Sequence, residues 1–355
     1  MTRHVTPPSA CVNDGFPPLR MSHGRPRGAY RRGMDAPVAL VAGASRGLGL
    51  LIARELLDRG HTVVICARDE AELGEAGRLL DPRGGRVFTH ACDVADKGAV
   101  ATMVRWTEQE VGPVEVAIHV AGIIQVLPLE NTRVEHFEEA LGIMTMGPVH
   151  LALAVLPGMR ERGRGRIGTV ASIGGAVSVP HLLPYSTAKF GAVGFARGLS
   201  AELAGTGVTS TAILPGLMRT GSHLNAEFGG DTAAEYAWFA PGAALPLVSI
   251  NAERAAKRIV NGVLAGRNQV VFTPLAHIGM RVAGAAPSLT TGLMKVMARL
   301  LPDSAHDSGA LVDGHTARER LDSDAVETLT TLGTTAAHDL NQLDGGNRTR
   351  EGESS

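Results

Sequence analysis

The run Val38-Ala39-Leu40-Val41 leads directly into Ala42-Gly43-Ala44-Ser45-Arg46-Gly47-Leu48-Gly49, and this junction constrains the fold more than any other stretch. Beyond it, Leu50, Leu51, Ile52, Leu56 and Leu57 recur at helical spacing until Gly60, a helix stop. Strand, glycine turn and helix in immediate succession form the first step of a parallel sheet. The glycines let backbone approach a diphosphate closely. The new helix adds unpaired N–H groups and the positive end of its dipole. The spacing is Gly-x-x-x-Gly-x-Gly, and in a chain with 44 glycines it is the strand and helix on either side that give it meaning.

The same alternation continues. Apolar strands are predicted at 62–66, 86–89, 114–118, 166–170, 208–213 and 269–272, with helical patterns at 69–80, 96–111, 131–162, 184–205 and 251–265. Short apolar strands separated by helices imply an α/β fold: a Rossmann-like, doubly wound parallel β-sheet of about seven strands with helices on both faces. Ligands on such sheets bind beyond the carboxyl ends of the strands. Gly43, Arg68, Asp93, Ala121, Ser172 and Pro215 all follow predicted strands and so share one rim.

Tyr185 and Lys189 lie four residues apart in Tyr185-Ser186-Thr187-Ala188-Lys189, which places both on one helical face. An ammonium beside a phenol lowers its pKa and makes it a proton donor. The chain holds four lysines, Lys97, Lys189, Lys257 and Lys295, among 34 basic residues, so a lysine at 189 is a selective choice. A compact ammonium touches a phenol and a sugar hydroxyl together, whereas a guanidinium is built for bidentate pairing.

Together these residues give a chain that resembles the short-chain dehydrogenase/reductase family, in its branch with a single-domain core, from about residue 36 to about 275. Other motifs agree in order. Ser172, in Thr169-Val170-Ala171-Ser172-Ile173-Gly174-Gly175, precedes the tyrosine at the family's spacing for its catalytic serine. Asp93, followed by Val94, matches the acid that contacts adenine. Pro215-Gly216-Leu217-Met218-Arg219-Thr220 matches the segment that places Thr220 near the nicotinamide amide. The resemblance implies hydride transfer between nicotinamide C4 and a carbonyl or alcohol carbon. Tyr185 would give or take the proton, Lys189 lower its pKa with help from an oxidised nicotinamide and bond the nicotinamide ribose, and Ser172 orient the substrate oxygen. Gly43, Ser45, Arg46, Gly47, Leu48, Gly49, Arg68, Asp93, Val94, Ala121, Gly122, Pro215, Gly216 and Thr220 would join Tyr185 and Lys189 in holding the cofactor. The family also implies a homodimer or homotetramer.

Charge points to NADP(H) in preference to NAD(H). A carboxylate after the second strand would grip a ribose diol, but here Ala67 is followed by Arg68, and Arg46 lies inside the glycine loop. Two guanidinium groups near one ribose favour a 2′-phosphate. Asp69 reads as a helix cap, with a ribose ligand as the alternative.

Two positions depart from the family pattern. His119-Val120-Ala121-Gly122 stands where Asn-Asn-Ala-Gly is usual, and Met144 occupies the place of a helix asparagine. His119 reads as a satisfied strand-end imidazole, with a catalytic role as the alternative. Methionine cannot hold a relay water, so either Thr145 serves or proton delivery behind Lys189 differs. A cofactor-binding sensor with little or no turnover therefore stands beside the enzyme reading.

Residues 217–250 correspond to a substrate lid, and 217–249 carries Phe228, Tyr236, Trp238 and Phe239. These rings either meet a lipophilic substrate or pack the lid onto the core. The expected organisation is an unstructured extension over 1–33, a catalytic domain over 34–275, an amphipathic segment over 276–302 and an acidic solvated tail with at most one weak helix over 303–355. The alternative for 1–33 is an upstream extension of a chain that functionally begins at Met21 or Met34. Leu289, Leu293, Val296, Met297 and Leu300 form an apolar stripe with Lys295 and Arg299. It is expected to pack on the core or a second subunit, with a membrane-surface scaffold as the other reading. A net charge of −1 and a pI near 6.9 give no case for nucleic acid. Cys11, Cys66 and Cys92 show no metal-ligand spacing, so no metal is expected, and a reducing cytoplasm suits them.

Overall fold

The computed structural model describes residues 36–219, 221–244, 250–303, 310–321, 323, 326, 330 and 340–342. Seven parallel strands form the central sheet: β1 (Val38–Ala42), β2 (Thr62–Ala67), β3 (Val87–Ala91), β4 (Val114–His119), β5 (Gly165–Val170), β6 (Val208–Leu214) and β7 (Gln269–Val271). Their order is β7-β6-β5-β4-β1-β2-β3. Ala42 pairs with Cys66 on one side and His119 on the other, so the chain leaves β1 at the point where the strand order reverses. That crevice is where doubly wound sheets bind ligands.

The helices are α1 (Gly47–Asp58), α2 (Glu70–Leu80), α3 (Lys97–Glu110), α4 (Val134–Leu141), α5 (Gly147–Glu161), α6 (Leu183–Glu202), α7 (Thr232–Ala244), α8 (Ala252–Leu264), α9 (Pro274–Ala285), α10 (Pro287–Ala298) and α11 (Gly314–Leu321). Strand periodicity divides the core. Ala39, Val41, Val63, Ile65, Val116 and Ile118 join the cluster beneath α1 and α8. Val38, Leu40, Ala42, Val64, Cys66 and Ala117 face α3 and α5. Both faces are therefore apolar, and each large buried side chain contributes about 1.5–3 kcal/mol. Local chemistry starts several helices. Asp69 Oδ1 accepts from Glu72 N at 2.8 Å, so the cap role holds for it, and Asp96, Asn251 and Thr273 cap α3, α8 and α9.

The helix expected over 131–162 is not one regular element. Between α4 and α5 the chain widens into a π-helical turn, Gly142–Met146. Directly after it, the buried ring of His119 presses against Gly147, where an added Cβ would stand 2.5 Å from Nε2.

The lid takes one of its two expected forms, and the distal segment differs from expectation. Phe228 and Tyr236 are fully buried and meet edge to face, with Phe239 packed on Phe228 and Trp238 on Phe239. The rings thus pack the lid, and of the four only Phe239 also lines the central cleft. Within the region expected to be a solvated tail, Val312–Asp313 pairs antiparallel with Glu227–Phe228, and Ala317 of α11 is buried against the α7 cluster. The apolar stripe does not pack on the core: α10 has no buried residue, and Leu289, Leu293, Val296 and Leu300 are all exposed.

Candidate active site

A cleft of about 660 Å³ opens at the carboxyl ends of the strands. Gly43, Ser45, Arg46, Gly47, Leu48 and Gly49 line it from the turn after β1. Arg68, Asp93, Val94, Ala121 and Gly122 line it from beyond β2, β3 and β4, and Ser172, Tyr185, Lys189, Pro215 and Gly216 complete it. Thr220 lies outside the described residues. One surface thus gathers residues spread over more than 170 positions of sequence.

The turn after β1 is built for close approach. Gly43 has φ +84°, and its N–H donates to Cys66 O at 2.8 Å. A Cβ on Gly43 would collide with Ala121, and one on Gly49 would collide with the carbonyl of Gly43. The first turn of α1 carries no acidic residue, and Arg46 before it makes no side-chain cap. A helix start with no side-chain cap and no acid in its first turn suits the diphosphate of a dinucleotide.

At the reacting end, the Tyr185 ring and Ser172 Oγ both flank Gly174, whose N–H donates to Ser172 Oγ at 3.0 Å. Burial pushes the Tyr185 phenol above its ordinary value, and Ser172 beside it works the other way. Lys189 is 4% exposed, and burial pulls its ammonium down to about 8. Its Nζ donates to Val170 O at 3.0 Å and stands 5.7 Å from the centre of the Tyr185 ring. In this geometry any acidification of the phenol by Lys189 does not set the direction of its shift. Desolvation outweighs it, and the ammonium is spent on a strand-end carbonyl.

The two departures acquire definite surroundings. His119 is buried, and its Nε2 has no hydrogen-bond partner among the described residues, which corrects the expectation of a satisfied imidazole. Burial, then the charges of Lys189 and His150, hold it neutral with a pKa lowered to about 3. Met144 is buried behind Gly122, where a Cβ would stand 3.2 Å from Met144 Sδ and 3.6 Å from Lys189 Nζ. Thr145 Oγ1 donates to Ala188 O at 2.8 Å, so its hydroxyl is engaged beside Lys189.

Some lining residues carry no sequence signal. Glu72 pairs with Arg46 at 3.2 Å beside the expected ribose pocket. Asn341 and Gln342 reach the glycine loop from a distant segment, and Asn225 holds Gln342. The closeness of Glu72 in sequence to Arg68 is the one clue available for any of them.

The profile of the short chain dehydrogenase family matches residues 37–227. A Streptomyces coelicolor protein named as a ketoacyl reductase is 37% identical over 188 residues, covering 52% of this chain and 72% of its own. D-beta-hydroxybutyrate dehydrogenase of Cupriavidus necator is 32% identical over 187 residues, covering 53% and 72%. Among solved structures, a single-substitution variant of actinorhodin polyketide ketoreductase with NADPH superposes with a TM-score of 0.60 at 29% identity, covering 69% of this chain and 98% of that one.

Proposed function

The chain belongs to the short-chain dehydrogenase family of oxidoreductases acting on CH–OH and carbonyl groups, and from that premise we propose that it interconverts a carbonyl and a secondary alcohol on a lipophilic small molecule, using NADP(H). The observation that carries the reading is that Ser172, Tyr185 and Lys189 line one cleft with the glycine loop, with Ser172 Oγ and the Tyr185 ring both flanking Gly174. A bound nicotinamide supplies or accepts the hydride. In reduction, Tyr185 gives its proton to the substrate oxygen, and Ser172, donor to that oxygen, holds it in place as negative charge builds. Lys189 ties the end of β5 to α6 and fixes the phenol's height in the cleft.

Arg46 and Arg68 on the adenosine side support NADP(H), as does the NADPH held by the polyketide ketoreductase of similar fold. Glu72 partly opposes it by neutralising Arg46. The lipophilic character rests on Ile123, Ile124, Ile143, Leu217, Met218 and Phe239 around the reacting end. A second reading, a cofactor-binding sensor with little turnover, is favoured by Met144 behind Lys189 and by the raised Tyr185 phenol.

The test is a panel of ketones and aldehydes from short-chain to polycyclic, followed by NADPH absorbance and repeated with NADH. Turnover that increases with substrate apolarity and prefers NADPH supports the enzyme. Cofactor binding without turnover on any member supports the sensor.

A further inference from the structure

The glycine loop already has a ligand from its own chain. Gly47 N, the first donor of α1, gives its hydrogen to the carbonyl of Leu340 at 2.9 Å. Asn341 Nδ2 donates to Ser45 O at 3.1 Å. Gln342 is held from the other side by Asn225, whose Nδ2 donates to Gln342 O and Oε1, each at 3.1 Å. The segment is seated deeply: Leu340 is 6% exposed within the apolar cluster beneath α1, and Gln342 is 5% exposed. Asn341 takes φ +57°, a left-handed conformation that asparagine tolerates better than most residues. Gly47 is what admits the strap, because a Cβ there would collide with Gln342 Nε2.

The local sequence leaves this position open. Asp69, Asp96, Asn251 and Thr273 satisfy the starts of α2, α3, α8 and α9 from the adjacent residue, whereas α1 has no such cap. A carbonyl oxygen is a neutral counterpart of a phosphate oxygen, and a single N–H makes one strong, linear hydrogen bond at a time. Strap and diphosphate therefore draw on the same donor and the same space.

We propose that Leu340-Asn341-Gln342 is an in-cis competitor for the diphosphate of the dinucleotide, so that cofactor entry requires this strap to leave the glycine loop. The inference rests on the dinucleotide reading of the cleft. Its consequence is a cofactor affinity lowered by the fraction of molecules with the strap in place.

NADPH binding, followed by its fluorescence, is compared in the full chain, in Gln342→Ala, in Asn341→Ala and in a chain terminated before Leu340. Truncation is expected to tighten binding by about tenfold, as for a strap closed in about nine molecules of ten, and each point variant by about threefold. Amide exchange across 340–342 in the full chain should accelerate when NADPH is added. If truncation removes too much of the apolar contact of Leu340 and the protein fails to fold, Gln342→Ala decides. Unchanged affinity overturns the proposal, and weaker affinity does so by making the strap a contributor to the site. Failure of every form to bind NADPH or NADH overturns the dinucleotide reading itself, and the strap with it.

Discussion

Lys189 gives its ammonium to the carbonyl of Val170 at 3.0 Å while standing 5.7 Å from the centre of the Tyr185 ring. The bond joins the end of β5, two residues before Ser172, to the helix that carries Tyr185. It fixes the serine–tyrosine geometry, and the buried ammonium carries a desolvation cost.

That cost makes the fold pH-dependent. Native Lys189 loses its proton near 8, against an ordinary value of 10.5. Between these values the unfolded chain binds the extra proton, so stability rises with pH across that window; below about 8 both states are charged and the penalty is present in full. In denaturant titrations at pH 7.5 and 9.5, wild type should gain about 2 kcal/mol more than Lys189→Met. An equal gain in the variant would show that the lysine is not the source.

His119 should make its contribution on the acid side. Its native pKa is lowered to about 3, so as pH falls below 6.5 the unfolded chain takes up a proton that the native state refuses, and stability declines. His223, lowered to about 4 mainly by burial, acts in the same sense. His119→Asn should lose less melting temperature than wild type between pH 7 and 5 without becoming flat. An unaltered slope would remove His119 from the account.

Gly147 and His119 should behave as a coupled pair. Alanine at 147 would place its Cβ 2.5 Å from His119 Nε2 and 3.2 Å from Val94 Cγ2. Gly147→Ala alone should cost about 1–3 kcal/mol, and considerably less in a His119→Ala background. Strict additivity in the double-mutant cycle would mean that the ring does not press on this position.

Much of this arrangement was legible in the sequence. Continuous apolar strands and a glycine turn specified the doubly wound sheet, because burial on both faces leaves no alternation to misread. Every motif residue of the cleft follows a strand end, apart from the helical pair Tyr185 and Lys189 and the helix start of α1. The π-helical turn was not legible, because the contact beside it, His119 pressing on Gly147, is made across the fold. The strap was not legible either, since Leu340 reaches Gly47 through contacts that no local pattern encodes. The exposure of α10 has the same origin: periodicity shows that a stripe exists, not what covers it.

Cofactor preference should turn on Glu72. Its carboxylate holds Arg46 at 3.2 Å beside the expected ribose pocket and would repel a 2′-phosphate. Glu72→Gln frees the guanidinium and removes a negative charge, so the ratio of NADPH to NADH affinity should rise by about fivefold, the scale of one partly exposed ion pair. The ratio is read from paired binding titrations. A ratio that stays the same or falls would place the 2′-phosphate elsewhere.

The most direct measurement compares wild type with Tyr185→Phe on the best carbonyl substrate of the panel, recording both NADPH oxidation and NADPH affinity. Loss of the phenolic proton should lower turnover by about 10²–10⁴-fold while cofactor affinity stays within about twofold. Turnover preserved in Tyr185→Phe would contradict the assignment of Tyr185 as the acid/base, and an activity loss matched by an equal loss of cofactor binding would reduce it to a structural residue.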